Sequence, residues 1–284
     1  MKQRRCLRRE FRLRPDRVVI QIFLYALAYS ANKHGILLHD FVALCNHDHL
    51  VLTDPDTKRP AFLQLFHSLV ARAVNAAFGD WDALWSVQPY SAPRLLEPDD
   101  ILRKLVYTLA NPVAAGLVRY CKDWAGATSW NMEYGVPVKI ARPRVFFSKK
   151  MPDEVELVIH RPPGLRPDLC DRELRALVRD RAREKERELI GKMTESGRTF
   201  MGMPRVLKQD RHETPSSRDE RRGIRPTVAG RSKSARVEAL RQNALFFAQY
   251  EAARLAFQAG NRDVVFPHGT YLMRVRFGCA CASP

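Results

Sequence analysis

The pattern of apolar and polar positions in the first half of the chain predicts short strands that alternate with helices. Residues 4–14 combine dense arginine with alternating apolar positions, which favours a strand. The nearly continuous apolar segment that follows predicts a buried helix over residues 15–34, with Gly35 as its C-cap. Residues 36–44 and 47–53 are apolar and strand-like, and the short turn between them predicts an antiparallel hairpin.

A second helix and a third short strand are predicted beyond this hairpin. Apolar residues between positions 62 and 77 recur at helical spacing, which predicts a helix that ends at Gly79. His67 lies off that apolar stripe, so we expect it on the surface. Residues 90–96 favour a further strand. Helices that alternate with hairpin strands indicate an α+β fold in which helices pack on an antiparallel sheet.

Residues 97–112 predict a helix that turns a tyrosine and an amide away from its own apolar stripe. Acidic residues in the first turn and the proline at position 112 set its predicted limits. At about 100° per residue, Tyr107 lies nearly opposite the stripe, and Asn111 follows one turn later on the same side. Tyr90 is a rival nucleophile by residue type, but it has no amide partner one helical turn away and ranks below Tyr107. The stripe consists of Leu102, Leu105, Val106 and Leu109.

Beyond residue 132 the chain predicts a basic and partly helical C-terminal extension. Residues 191–236 are rich in arginine, serine, glycine and proline, which is typical of a flexible basic linker that either orders on nucleic acid or stays solvated. This linker divides a connecting segment, residues 133–190, from a C-terminal unit, residues 237–284. The elements predicted here are a strand pair over 136–147 split at Pro143, a loop over 160–167, a charged helix over 168–190, an amphipathic helix over 237–259, and a closing hairpin of 264–266 and 271–277.

The net charge of the chain indicates which class of partner it binds. A formal net charge of +17 and a pI near 10.0 point to a polyanion, with nucleic acid first and an anionic membrane second. A hydrophobic content of 45% allows a packed core and argues against a wholly disordered basic protein. Four arginines on the outer face of the first predicted strand are candidate phosphate contacts, unless they only guard a solvated edge strand: Arg4, Arg5, Arg8 and Arg9.

The apolar runs and the cysteines indicate the cellular compartment of the protein. The longest apolar run, residues 18–28, is too short to cross a membrane, and no apolar region of a secretory signal follows the N-terminal charges. The six cysteines form no paired Cys-x-x-Cys pattern, so reduced thiols are the simplest interpretation. We therefore expect a cytoplasmic, nucleoid-associated protein with no membrane partner.

Candidate metal ligands lie in the second strand of the predicted hairpin. His47 and His49 are two residues apart, so on a strand their side chains leave the same face and can approach one ion. The same pair alone also fits two polar residues at the mouth of a strand. His39 belongs to no second ligand pair, and we interpret it as a core or hydrogen-bonded histidine.

Two motifs in the correct order and spacing carry a resemblance to a known family. An Asn-His-x-His-Leu strand followed by Tyr-x-x-x-Asn-Pro-Val-x-Ala-Gly-Leu-Val resembles the single-tyrosine HUH transposases. The similarity is closest to their REP-associated branch, domesticated bacterial transposases that act on repetitive extragenic palindromes. It covers residues 1–132. The matching residues are Asn46, His47, His49, Leu50, Tyr107, Asn111, Pro112, Val113, Ala115, Gly116, Leu117 and Val118.

The resemblance implies a ferredoxin-like sheet and a metal-dependent nuclease that acts on single-stranded DNA bearing a hairpin. Tyr107 would be the nucleophile and leave a 5′-phosphotyrosine link with a free 3′-hydroxyl. His47, His49 and Asn111 would hold Mg²⁺ or Mn²⁺ on the scissile phosphate. Lys104, about 60° round the helix from Tyr107, would assist the phenol or contact a phosphate. Family members imply a monomer or a homodimer.

One position departs from the family pattern. The residue between the two histidines is usually apolar or aromatic, and here it is Asp48. On a strand its carboxylate leaves the opposite face, where burial costs several kcal/mol unless the charge is paired. We therefore expect either a solvated face or an arginine partner there.

Two other functions compete with this interpretation. A metal-dependent hydrolase using His47, His49 and Asp54 would need an acidic residue at position 51 and a histidine at position 52, which are Val51 and Leu52. That spacing excludes a metallo-β-lactamase-like site. The second alternative is a non-catalytic, basic nucleic-acid-binding protein that retains the transposase fold.

Overall fold

The computed structural model describes residues 1–216 and 226–283. The arginine-rich part of the predicted linker, residues 217–225, lies outside them. The strands are β1 (Lys2–Arg5), β2 (Leu37–Ala43), β3 (His47–Thr53), β4 (Arg94–Leu95), β5 (Val138–Ala141), β6 (Glu154–Leu157) and β7 (Val228–Ala229). The helices are α1 (Arg17–His34), α2 (Arg59–Phe78), α3 (Pro98–Ala114), α4 (Asp171–Glu195), α5 (Met203–Lys208), α6 (Lys233–Gln258) and α7 (Leu272–Phe277).

A three-stranded antiparallel sheet with the order β1-β3-β2 lies at the centre of the fold. Across β1 and β3, Gln3 is opposite His49 and Arg5 is opposite His47. On the other edge of β1, the backbones of Gln3 and Ser91 exchange hydrogen bonds of 2.8 and 3.0 Å, so the segment before β4 takes a fourth position. The predicted α+β class is confirmed, and this β-α-β-β-α-β order is the one expected of a ferredoxin-like sheet.

Helices cover the two faces of this sheet. α1 and α2 pack together on one face, where the rings of Phe23 and Phe66 meet at a centroid distance of 5.2 Å. The Nζ atom of Lys2 lies 5.5 Å from the centroid of the same Phe66 ring, which places β1 against α2 there. α3 covers the opposite face, where the Tyr107 ring meets the His49 ring. α4 packs along α3.

The first helix and the hairpin form where the sequence predicts them. Gly35 follows α1 with φ 66°, a left-handed conformation that glycine adopts without a Cβ clash. The turn between β2 and β3 is closed by the N–H group of Leu44, which donates to the carbonyl oxygen of His47 at 2.8 Å. A register shift between Leu38 and Asp40 marks a β-bulge in β2.

Two predictions for the N-terminal half, the length of the first strand and the exposure of His67, are wrong. The strand predicted over 4–14 ends at Arg5, because residues 7–9 form a short 3-10 turn in which Arg8 and Arg9 have φ values of 50° and 63°. His67 is only 4% exposed and not on the surface. The Trp85 ring covers it at a centroid distance of 5.1 Å, and the indole N–H group of Trp85 donates to the His67 carbonyl oxygen.

The predicted end of the tyrosine helix is also wrong. α3 continues through Pro112 to Ala114. A proline removes one backbone donor, and in the last turn of a helix that loss affects a single hydrogen bond. The predicted strand over 90–96 reduces to Arg94–Leu95, which pairs with β7 from far along the chain.

Several elements of the C-terminal half differ from their predictions. β5 pairs with β6 and not with a strand directly after Pro143. The part of the predicted flexible linker that is described contains α5 and β7. The predicted closing hairpin is wrong, because Leu272–Phe277 is the helix α7, which ends at Gly278 with φ 66°. A segment that alternates apolar and basic residues fits either element when it is only six residues long.

α4 is joined to the sheet by buried charge. The guanidinium of Arg175 and the carboxylate of Asp40 lie 2.8 Å apart, and both side chains are fully buried. Arg175 also donates to the carbonyl oxygens of Met132 and Ser129, and the Ser129 hydroxyl donates to Asp40 at 2.5 Å. These hydrogen bonds offset part of the cost of burying the ion pair, and Oδ2 of Asp40 has no hydrogen-bond partner among the described residues. α4 is therefore part of the same core as the sheet.

One described helix, α2, is long and apolar enough to cross a membrane by length and composition alone. Core helices of ordinary globular proteins pass the same test. Phe62, Leu63, Phe66 and Val70 of α2 are fully or almost fully buried in this fold.

Candidate active site

The two histidines of β3 share one face of the sheet. The rings of His47 and His49 lie at a centroid distance of 4.9 Å and are nearly perpendicular, at 82°. His49 has no exposed surface, and neither of its ring nitrogens has a hydrogen-bond partner among the described residues. Buried polar atoms are bonded in the great majority of cases, so two open nitrogens on one ring mark an exceptional position.

The tyrosine of α3 lies against this pair. The Tyr107 ring meets the His49 ring edge to face, with a centroid distance of 5.4 Å and an angle of 88°. The side of Tyr107 away from His49 is open, because the residue is 41% exposed. The Nζ atom of Lys104, one turn earlier on α3, lies 5.0 Å from the Tyr107 ring centroid. The structure thus brings the predicted nucleophile, the histidine pair and the predicted lysine together.

Asn111 also belongs to this group, although it does not face solvent. It is 5% exposed, and its side chain lies beside the imidazole of His47. This position follows from helix geometry, since one turn of α3 separates Asn111 from Tyr107 and both lie on the side that meets β3. Asn111 therefore borders the same site as the histidine pair.

Asn46 is a residue whose role the sequence analysis missed. Its amide nitrogen donates to the carbonyl oxygen of Arg9 at 3.0 Å, so its amide oxygen is the atom that faces Nδ1 of His47 at 2.7 Å. An amide oxygen only accepts, which requires the proton of His47 to be on Nδ1 and leaves a lone pair on Nε2. Asn46 therefore holds His47 in the tautomer that ligates a metal through Nε2.

Both imidazoles are neutral at pH 7. Burial, helped by the positive charge of Arg5, lowers the pKa of His47 from 6.5 to about 4. Burial, followed by the charges of His47 and Lys2, lowers the pKa of His49 well below 6.5. Metal ligation needs the unprotonated ring, so these shifts keep the lone pairs available.

The donor set fits a weakly held hard ion. Among the described residues, no three His, Cys, Asp or Glu side chains are grouped so that they could hold a metal ion. The set present here has two imidazoles and one neutral amide oxygen, which leaves open positions for phosphate oxygens around Mg²⁺ or Mn²⁺. The unpartnered nitrogens of His49 are the structural observation that fits such a group. Because His49 is fully covered, an ion at its nitrogens would require the side chains around it, the Tyr107 ring among them, to move.

Asp48, the departure from the family pattern, has a partner that was not predicted. Its face is dry, and both of its carboxylate oxygens accept from the ammonium group of Lys2 at 2.6 Å. The backbone N–H group of Arg4 donates a further hydrogen bond of 3.0 Å. The expected arginine or solvent is thus replaced by a buried lysine. Burial lowers the pKa of Lys2 to about 8, which still leaves it charged at pH 7.

The four arginines predicted to share one face do not share it. The guanidinium of Arg4 donates to Nδ1 of His67 at 2.7 Å and lies over the Trp85 ring, on the same face as Asp48. Strand alternation places Arg5 on the face of the two histidines, where it is exposed. Arg8 and Arg9 lie in the 3-10 turn that follows β1. The prediction of a common outer face is wrong because the strand ends too early.

The remaining candidates have other roles. Both ring nitrogens of His39 are bonded, to the carbonyl oxygen of His160 at 2.7 Å and to the hydroxyl of Thr53 at 2.8 Å, which confirms a hydrogen-bonded core histidine. Tyr90 lies near His67, on the other face from Tyr107. Asp54 accepts from the backbone at the start of α2.

Comparisons of the chain with known protein families, with curated proteins and with solved structures gave no match.

Proposed function

We propose that this chain is a metal-dependent endonuclease and strand transferase for single-stranded DNA, similar in chemistry to the REP-associated single-tyrosine HUH transposases. The observation that carries the proposal is the contact between the Tyr107 ring and the His49 ring, whose two nitrogens have no partner in the described part of the chain. A phenol beside neutral, open imidazoles combines a nucleophile and ligands for an electrophilic ion in one place.

The residues divide the chemistry between them. The Tyr107 oxygen attacks the phosphorus, the 3′-oxygen leaves, and the DNA stays joined to the protein by a 5′-phosphotyrosine bond. Lys104 places positive charge beside the ring as the phenolate forms. His47, His49 and Asn111 would hold Mg²⁺ or Mn²⁺, which supplies Lewis-acid polarisation of the non-bridging oxygens. Attack of a 3′-hydroxyl on the phosphotyrosine reverses the step and joins a strand.

The proposed substrate is single-stranded DNA that carries a hairpin, in a cytoplasmic, nucleoid-associated setting. The net charge of +17 favours a polyanionic partner, and Arg5 adds positive charge on the histidine face. The protein would act as a monomer or a homodimer. A non-catalytic nucleic-acid binder with the same fold is the competing function.

The deciding experiment is incubation with labelled hairpin oligonucleotides and Mn²⁺, followed by denaturing electrophoresis. We expect a covalent protein–DNA adduct with the wild type. Tyr107→Phe keeps the ring contact with His49 and removes the nucleophilic oxygen, so it should bind the oligonucleotide and form no adduct. An adduct with Tyr107→Phe would refute the nucleophile. Binding without any adduct from the wild type would favour the non-catalytic binder.

A further inference from the structure

A cleft between α3 and α4 opens beside Tyr107. It has a volume of about 650 Å³, within the range of about 300–1,000 Å³ typical of ligand sites. Leu102 and Val106 of α3 line it together with Tyr107 itself. The charged residues that line it are Asp99, Arg103, Lys104, Arg181, Glu184, Lys185, Glu188 and Arg231. The cleft is thus continuous with the proposed nucleophile.

The wall that α4 contributes is held rigidly. The buried pair of Arg175 and Asp40 fixes the first half of α4 to β2. Further along, the carboxylate of Glu186 accepts from the backbone N–H group of Cys121 at 2.5 Å in a buried contact. The cleft-lining residues Arg181 and Lys185 lie between Arg175 and Glu186 along α4. The cleft is therefore a formed feature of the fold.

A second wall comes from the segment between β7 and α6. β7 pairs in parallel with β4, and the N–H group of Arg231 donates to the Asp100 carboxylate in the first turn of α3 at 3.2 Å. Gly230 allows this approach, because a Cβ atom there would lie 2.7 Å from Oδ2 of Asp100. These contacts hold the backbone of Arg231 at the cleft and leave its side chain exposed.

Most charges in the cleft are paired locally. Three of its lining residues form no ion pair with a described residue: the carboxylate Asp99 and the cations Lys104 and Arg231. Arg181 pairs with Glu184 at 2.9 Å, and Lys185 pairs with Glu188 at 2.7 Å, each within α4. In the part of the chain that is described, no carboxylate lies within ion-pair distance of Lys104 or Arg231. Two unneutralised cations beside an apolar floor match the phosphates and bases of a single DNA strand.

We infer that this cleft binds the single-stranded DNA that adjoins the cleaved phosphate, with Lys104 and Arg231 on its phosphates and Leu102 and Val106 beneath a base. The inference rests on the proposed function, in which Tyr107 is the nucleophile. Its test measures binding and does not require cleavage. It assigns a direct substrate contact to the C-terminal half of the chain. A strand held here lies in reach of the phenol when the Tyr107 ring moves.

The test measures binding of a labelled single-stranded oligonucleotide to Tyr107→Phe, by fluorescence anisotropy from about 50 to about 200 mM salt. Each phosphate contact on a single strand contributes a slope of about 0.7 to the logarithmic salt dependence. Adding Lys104→Gln and Arg231→Gln together should lower the slope by about 1.4 and weaken binding about 25-fold at about 0.1 M salt. Arg231→Gln alone should give about half of the change in slope. Arg231→Glu should weaken binding more than Arg231→Gln does. The anchoring N–H group of residue 231 remains in all of them.

The matched control is the pair Lys149→Gln and Lys150→Gln in the same background, which removes equal charge from an exposed turn away from the cleft. It should change affinity by less than about twofold, since it removes no phosphate contact. Equal losses from both pairs would overturn the cleft assignment, because they would report only overall charge. Absence of an adduct from the wild type, with the cleft variants still impaired in binding, would refute the nuclease and leave the cleft intact.

Discussion

Asp48 and His49, neighbouring buried residues of β3 on the two faces of the central sheet, differ in how completely their polar atoms are satisfied. On the α2 face, Lys2 and Asp48 satisfy each other at 2.6 Å, and His67 has one nitrogen bonded to Arg4. On the α3 face, His49 is equally buried and has neither nitrogen bonded to a described residue. An unsatisfied buried group costs about 1–3 kcal/mol.

Under the proposed function, this difference would separate a stabilising face from a face that receives an added ligand. Successive residues of one strand, Asp48 and His49, lie on the two sides, so local sequence composition does not cause the contrast. The α3 face gives up stability at the position where the proposed chemistry needs open lone pairs. Substitutions on the two faces should therefore separate activity from stability, and the following predictions run from the largest expected effect to the smallest.

The largest effect is expected from His49→Leu on the α3 face. Loss of this ligand should lower the rate of adduct formation by roughly 10²–10³-fold or more, as for removal of a group that stabilises transition-state charge. The free energy of unfolding should stay equal or rise, because two unpaired nitrogens leave the core. Single-turnover cleavage and urea denaturation measure the two quantities. A large loss of stability with normal cleavage would mean that His49 is structural.

On the α2 face, Lys2→Met should destabilise the fold by about 3–5 kcal/mol, because it leaves the Asp48 charge buried without a partner. Adding Asp48→Leu should restore most of that stability, since both charges are then absent. The folded double variant should cleave at a rate close to that of the wild type. Cleavage lost in the double variant, despite recovered stability, would show that the two faces are coupled.

Asn46→Ala tests whether the tautomer of His47 matters on the α3 face. We expect a loss of roughly 10–100-fold in apparent Mn²⁺ affinity, as for other groups that orient metal ligands. The readout is Mn²⁺-dependent quenching or calorimetry, with adduct formation at saturating Mn²⁺ measured in parallel. Asn32→Ala is the matched control, because the Asn32 amide donates to the Glu156 carbonyl oxygen at 2.8 Å, far along α1. Equal effects from both variants would remove the special role of Asn46.

His39 offers a comparison with His49, because it is a buried histidine whose two ring nitrogens are both hydrogen-bonded. Burial lowers its pKa from 6.5 to about 4, so on acidification the unfolded chain takes up the proton first. The stability that the neutral ring contributes is therefore present above pH 6.5 and is lost as the pH falls from 6.5 towards 4, by about 2 kcal/mol at pH 5. His39→Gln should reduce the pH dependence of unfolding by that amount. An unchanged dependence would contradict the assignment.

The hairpin, α1 and α3 were predictable because each depends on local periodicity, whereas the meeting of Tyr107 with the histidine pair was expected from the family resemblance. Alternation along β3 puts His47 and His49 on one face, and helical spacing puts Tyr107 and Asn111 on one side. Contacts between distant segments were not predictable. The pairing of Lys2 with Asp48 and the burial of His67 under Trp85 depend on which segments meet across the sheet.

The C-terminal half shows the same limit. Its short segments carry weak periodicity, so α7 was interpreted as a strand and β7 was not expected. The role of Arg175 was hidden because a highly charged helix usually exposes its arginines. Its partner Asp40 is far away in sequence, and only the folded chain brings the two together.

The anchoring of α4 sets a lower limit on how far the protein can be trimmed. A fragment that stops at residue 132 would keep every residue of the proposed cleavage chemistry. It would also leave the buried carboxylate of Asp40 without its counter-ion. The smallest autonomous version of this protein therefore has to include Arg175 and the part of α4 that positions it.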